Sequence, residues 1–240
     1  MSRRSRYPFR TLPDYLAPGL DLLFVGINPG TYSVERGHYF ARTTNRFWPA
    51  FSRSRLSTPI RRALGVKILT PEHDALLLRF GIGFTDVVKV PSRNAAELDA
   101  AAFAEWAPRL LARLRRYAPR VACFHGVTAY RGFLDMGGLE GPFSIEGEPW
   151  EGSPAPSPQP PDARRRPSGS RGAPRYRAAR AAAQTFGLGL QPVRVGTTWL
   201  YVVPNPSPAN AHFTIEDQRG WYDRLAAYLR ISRAATRMRQ

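Results

Sequence analysis

Leu22-Leu23-Phe24-Val25-Gly26-Ile27-Asn28-Pro29-Gly30 is an apolar run that stops at a Gly-Ile-Asn-Pro-Gly turn. A short continuous apolar run bounded by such a turn reads as a buried strand. The turn delivers one polar side chain, Asn28, to the strand's carboxyl end. In open α/β sheets that edge is where ligands bind. An amide offers one acceptor and one donor group, enough to hold a water or read a base edge. It cannot take a proton at neutral pH, so chemistry resting on Asn28 alone would rest on positioning.

Working outward, the pattern repeats. Phe84-Thr85-Asp86-Val87-Val88 and Arg120 to Phe124 read as further strands. Helical stretches are expected over Asn45 to Phe51, Thr58 to Leu64, Pro71 to Phe80, Val127 to Leu134 and Ile215 to Leu229. The Ala-, Leu- and Arg-rich stretch from Asn94 to Tyr117 is expected to be the longest helix. Gln191 to Val195 and Thr198 to Val203, with Gly196-Thr197 between them, read as a β-hairpin. Strands alternating with helices imply an α/β fold with a mainly parallel sheet covered on both faces. A single domain is expected over 17–230, after a basic lead-in at 1–16 and before a basic tail at 231–240. It is interrupted at 140–176 by a segment rich in Pro and Arg, including Arg164-Arg165-Arg166, that lacks apolar periodicity and is expected to be disordered. A helix is expected over Arg175 to Phe186.

The 240 residues carry 35 Lys and Arg against 18 acids, a net charge of +17 and a pI near 11.1. Arg supplies nearly all of the positive charge, and its planar fork suits phosphate and guanine. A polyanionic partner follows, with nucleic acid ahead of a membrane. A high-GC genome would explain Arg over Lys but not the excess of positive charge. Cys123 is the single cysteine, which excludes an internal disulfide and thiolate clusters. Its place in Val121-Ala122-Cys123-Phe124 favours a core thiol. No apolar run reaches the roughly 18 residues of a membrane span. No apolar stretch follows Met1 to Arg6, so a soluble, cytoplasmic protein is expected. A monomer is expected as well, nucleoid-associated if its partner is DNA. The four histidines show no metal-ligand spacing, and neither metal nor cofactor is expected.

Three further stretches accompany the first turn: Gly37-His38-Tyr39-Phe40-Ala41, Asn45-Arg46-Phe47-Trp48, and Pro204-Asn205-Pro206-Ser207-Pro208-Ala209-Asn210. In order and approximate spacing, these motifs resemble the mismatch-specific uracil/thymine DNA glycosylases of the uracil-DNA glycosylase superfamily. The resemblance covers about residues 17–135 and 184–230. It implies a three-layer α/β/α sandwich with a short central sheet. It also implies hydrolysis of the N-glycosidic bond of uracil or a related base in double-stranded DNA, leaving an abasic site. On the same ground Asn28 holds the attacking water, Phe40 stacks on the flipped base, and Asn205, Ser207, Pro208, Ala209 and Asn210 form the loop that enters the duplex.

The chemistry is consistent with those roles. A stacked base must be extruded at a cost of a few kcal/mol, and stacking on Phe40 would return ~1–3 kcal/mol. Backbone N–H groups near Ile27 and Tyr39-Phe40 would stabilise charge on the leaving base. Ile27, Tyr32, Tyr39, Phe40 and Asn45 form the expected base site. Asp86, expected to be exposed and ionised, is a second catalytic candidate beside Asn28, or else a loop cap. Asn45 reads as an N-cap or a pocket brace, and Arg46 as a partner for an acid or a phosphate. Relatives often carry Gly after Asn-Pro-Ser, whereas Pro208 stands here. Two other readings compete: a non-catalytic binder of mismatched or abasic DNA, and a nucleotide-binding α/β enzyme. The second is weakened because the turn lacks Gly-x-Gly-x-x-Gly spacing.

Overall fold

The computed structural model describes residues 7–137 and 187–237, with the backbone alone for 231–237. Five strands form one sheet: β1 Leu22–Gly26, β2 Ile82–Asp86, β3 Val121–His125, β4 Gly189–Val195 and β5 Thr198–Val203. Their order is β2-β1-β3-β5-β4. All neighbours run parallel except β4 and β5, which form the expected antiparallel hairpin. Pro192 cannot donate to a ladder, and it sits on the edge strand where the β4 register shifts.

Successive strand residues point to opposite faces, and each face has its own core. Phe24, Phe84 and Cys123 pack with Phe47 and Phe51 of α2 (Phe47–Arg53), Ile60 of α3 (Thr58–Leu64) and Tyr222 and Leu225 of a C-terminal helix, α6 (Ile215–Arg237). Leu23, Val25, Phe124 and Val202 pack with Trp106, Leu110 and Leu114 of α4 (Ala100–Tyr117) and with Tyr130 and Phe133 of α5 (Val127–Met136). A short helix, α1 (Thr31–Arg36), follows the first turn. The result is a three-layer α/β/α sandwich. Cys123 is a free, buried thiol whose pKa is pushed up by burial. Among the described residues no helix is long and apolar enough to cross a membrane.

Several boundaries move for identifiable reasons. Pro71 to Phe80 is two 3-10 turns, not one helix, because Asp74 between them caps Ala75 and also accepts from the Tyr39 N–H. The stretch from Asn94 also starts twice. Asn94 caps a single turn at Ala95–Glu97, and Asp99 then caps α4. At 18 residues α4 is shorter than the 23-residue α6, so the expected longest helix is not the longest. Residues 7–16 are not a separate lead-in. Leu12 is buried, Tyr15 pairs with Phe84, and Tyr7 and Phe9 pack on Trp106. The expected insertion at 140–176 and the helix at 175–186 lie outside the described residues.

Candidate active site

Parallel pairing aligns the carboxyl ends of the central strands. Gly26 lies opposite Asp86, and His125 opposite Val203. The chain leaves β1 for β2 on one side, then crosses to β3 on the other, which makes the end of β1 a topological switch point. A cleft of about 790 Å³ opens there. Both Asn-Pro turns line it, as do Ile27, Tyr32, Phe40, Asn45 and Asp86. Thus the structure gathers residues from both ends of the chain at one edge.

Asn28 is held by its amide nitrogen, which donates to Val90 O at 3.0 Å and to Ser92 Oγ at 2.8 Å. A backbone carbonyl only accepts, so Val90 fixes which end of the amide faces it. Ser92 Oγ in turn donates to Asn94 O at 2.8 Å. The strap from Val90 to Asn94 is itself fastened to the turn, with Thr31 N donating to Ser92 O and Ser92 N to Pro29 O. The side-chain carbonyl of Asn28 is thereby oriented as an acceptor. Ser92 had no sequence signal, since a lone serine after Pro91 reads as loop.

Asp86 departs from expectation. It is 2 % exposed, with Oδ2 3.2 Å from Lys89 Nζ. Lys89 is fully buried and also meets Asp14 Oδ1 at 3.0 Å and the Tyr39 hydroxyl at 3.2 Å. These three contacts match the three donors of an ammonium. Arg113 adds a second cation, 3.3 Å from Asp14 Oδ2. Burial pushes the Asp86 carboxyl above its ordinary range, opposed by Lys89. Burial also resists ionisation of Asp14, but Lys89, Arg113 and the Thr85 hydroxyl outweigh it and hold its pKa down. A side chain at Gly26 would place Cβ 2.5 Å from Asp86 Oδ1, so only glycine lets the carboxylate lie against the end of β1.

Phe40 has a left-handed backbone (φ 54°), uncommon for a bulky residue and a mark of local constraint. The segment is pinned by Trp48 Nε1 donating to Tyr39 O at 2.8 Å and Ala41 N to Ser33 Oγ at 3.2 Å. One face of the Phe40 ring stacks on Phe47 at 4.4 Å, so a base would meet the other face. His125, missed in the sequence because its spacing suggested nothing, meets Phe40 edge-on at 5.0 Å. Its Nε2 pairs with the Tyr222 hydroxyl at 3.0 Å, and burial pushes its pKa down to about 3, so the imidazole is neutral at pH 7.

Tyr39 and Asn45 both line the cleft but have polar groups engaged elsewhere. The Tyr39 side chain is buried, and its hydroxyl is committed to Lys89 and to Pro13 O at 3.0 Å, so it is not a free base-reading group. Its N–H is likewise committed to Asp74 Oδ2 at 2.9 Å and is not offered to a leaving base. Asn45 reaches the cleft wall but uses Oδ1 to cap Phe47 N at 2.9 Å. Tyr32 is half-exposed at the cleft, with the guanidinium of Arg36 5.3 Å from its ring centroid.

The loop after β5 closes on itself. Ser207 N donates to Asn205 Oδ1 at 2.9 Å, and Asn210 Nδ2 to Asn205 O at 3.0 Å. A Cβ at Gly126 would come within 3.0 Å of Asn205 Cβ, so the turns after β3 and β5 pack directly together. Pro208 and Ala209 form an exposed tip.

Residues 13–229 match the model of the uracil DNA glycosylase superfamily, and the chain belongs to that superfamily. Within it, the chain is similar to the G/U mismatch-specific uracil DNA glycosylase of Schizosaccharomyces pombe (strain 972 / ATCC 24843), with 33 % identity over 113 residues. That alignment covers 47 % of this chain and 33 % of the yeast protein, so the chain spans about a third of that relative's length.

Proposed function

We propose that this protein is a monofunctional DNA glycosylase that flips uracil, or a related mismatched or damaged base, out of duplex DNA and hydrolyses its N-glycosidic bond. The observation that carries the reading is the anchored amide. With Nδ2 tied to Val90 and Ser92, Asn28 keeps its carbonyl free as an acceptor, in the cleft at the sheet's switch point that Asp86 also lines. A water accepted there is aimed rather than strongly activated, and aiming alone removes a large part of a barrier. The water oxygen attacks C1′ as the bond to the base breaks, and the base leaves with the bonding pair. Asp86, ion-paired yet with raised proton affinity, is suited to take the water's proton or to steady the cationic sugar.

A neutral His125 avoids placing a positive charge against the sugar, and Phe40 supplies the stacking face. Lys67 and Lys89 are the only two lysines. Lys89 is buried in ion pairs, and neither residue lines the cleft, which favours water over an amine as the nucleophile. The net charge of +17 suits a DNA substrate, and the yeast relative's name points to uracil opposite guanine.

The test is base release from a uracil·guanine duplex. The expected result is strand breakage only after alkali, with Asn28→Ala slower by ~100-fold or more. Equal turnover by wild type and Asn28→Ala would overturn the assignment of Asn28. Tight binding without any base release would favour a non-catalytic DNA binder.

A further inference from the structure

Three of the four residues in Asn45-Arg46-Phe47-Trp48 have structural duties: Asn45 caps, Phe47 backs Phe40, and Trp48 holds the Tyr39 carbonyl. Arg46 has a different one. Its Nη1 donates to Ser207 O at 2.8 Å and to Asn210 O at 3.0 Å, 161 and 164 residues away in the chain. Its backbone N–H donates to Pro206 O at 3.0 Å. One residue therefore gathers three carbonyls of a single loop. Ser207 O also receives Asn210 N at 2.9 Å, which fills both of its acceptor positions.

A guanidinium that draws carbonyls inward turns the opposite side of the loop outward, where Pro208 and Ala209 are exposed. Pro fixes its own φ, and the Asn205 and Asn210 side chains close the turn. The loop is thus ordered before any ligand arrives, and the entropy of ordering it is not charged against binding.

We propose that Arg46 is a positioning residue that pre-forms the Asn205-to-Asn210 loop for entry into the duplex, and through it sets the protein's preference for DNA with a missing base. The proposal rests on the glycosylase reading for the kind of DNA involved. It differs from the obvious role for an arginine in a basic protein, contact with a phosphate. A phosphate contact would strengthen all DNA binding uniformly, whereas a loop brace acts only where the loop enters the helix.

The test measures binding of the full chain by fluorescence anisotropy to two duplexes of equal length. One carries a tetrahydrofuran abasic analogue opposite guanine, and the other is fully paired. Arg46→Met is expected to weaken binding to the abasic duplex by about tenfold or more, as for loss of a charge-assisted hydrogen bond, and binding to the paired duplex by less than about twofold. Arg46→Lys, which keeps the charge but lacks the planar fork, is expected to lose part of the abasic preference with paired binding unchanged. Equal losses on both duplexes, or retention of the full preference in Arg46→Met, would overturn the proposal. Base release by the wild type is scored separately. Release together with an unchanged preference in Arg46→Met sinks the loop assignment alone. A lost preference in Arg46→Met with no release by the wild type supports the loop assignment and overturns the catalytic reading.

Discussion

Replacing Lys89 by Met tests the charge network beneath the cleft. Met keeps most of the apolar stem and removes the ammonium, leaving Asp86 buried without its cation and Asp14 with Arg113 alone. Breaking a buried pair in this way costs about 3–5 kcal/mol. For a domain of this size that corresponds to a fall in Tm of roughly 6–20 °C. The pH dependence carries the sharper information. In the wild type Asp14 has a lowered pKa, so its contribution is present above the unfolded value of 3.8 and is lost as pH falls through the folded one. Asp86 has the opposite sign, because a raised folded pKa means that stability declines as pH rises from 3.8 through that value. Removing Lys89 moves both pKa values upward. The deficit of Lys89→Met should therefore be greatest near neutral pH and shrink towards about pH 4, where both carboxyls accept protons. Thermal melts of wild type and variant at about pH 7 and pH 4.5 measure this. A deficit below about 1 kcal/mol at neutral pH, or one of equal size at both pH values, would refute the reasoning.

Two further predictions concern the cleft. Ser92→Ala removes one of the two anchors of Asn28, so single-turnover base release should slow about tenfold while stability falls by only about 1 kcal/mol; an unchanged rate would show that Val90 suffices. Phe40→Gly deletes the stacking ring yet suits the left-handed backbone at φ 54°, so the fold should persist and substrate binding should weaken by ~1–3 kcal/mol. Unaltered affinity in a titration with a uracil duplex would mean that the base stacks elsewhere.

The elements that position the site were readable because they depend on local patterns. The short apolar run ending at Gly26-Ile27-Asn28 read as a buried strand and is one, and Gly196-Thr197 marked the hairpin. What the pattern could not convey were contacts between distant segments. Asp74 interrupts a promising helix because it also serves Tyr39. In the sequence Asp86 stands at a strand end like any surface carboxylate, and only its pairing with Lys89 makes its burial tolerable. Ser92 and His125 lack local signatures, since each acts through a partner at least 64 residues away, and Arg46, whose motif pointed to an acid or a phosphate, instead meets carbonyls of a loop 161 residues on. The second duty of Tyr39 was hidden for the same reason: it lines the cleft with its motif neighbour Phe40, while its hydroxyl turns inward to Lys89.

The amino-terminal segment gives the site an unexpected dependence. Thr11 holds the Lys89 carbonyl at 2.7 Å, Pro13 receives the Tyr39 hydroxyl, and Asp14 supplies half of the negative charge around Lys89. A chain beginning after Tyr15 would retain every recognisable motif, from the first Asn-Pro turn to the last. It would nevertheless carry a lysine without its second counter-ion directly below the proposed reacting groups. The charge balance beneath the cleft thus depends on residues that lie outside every one of those motifs.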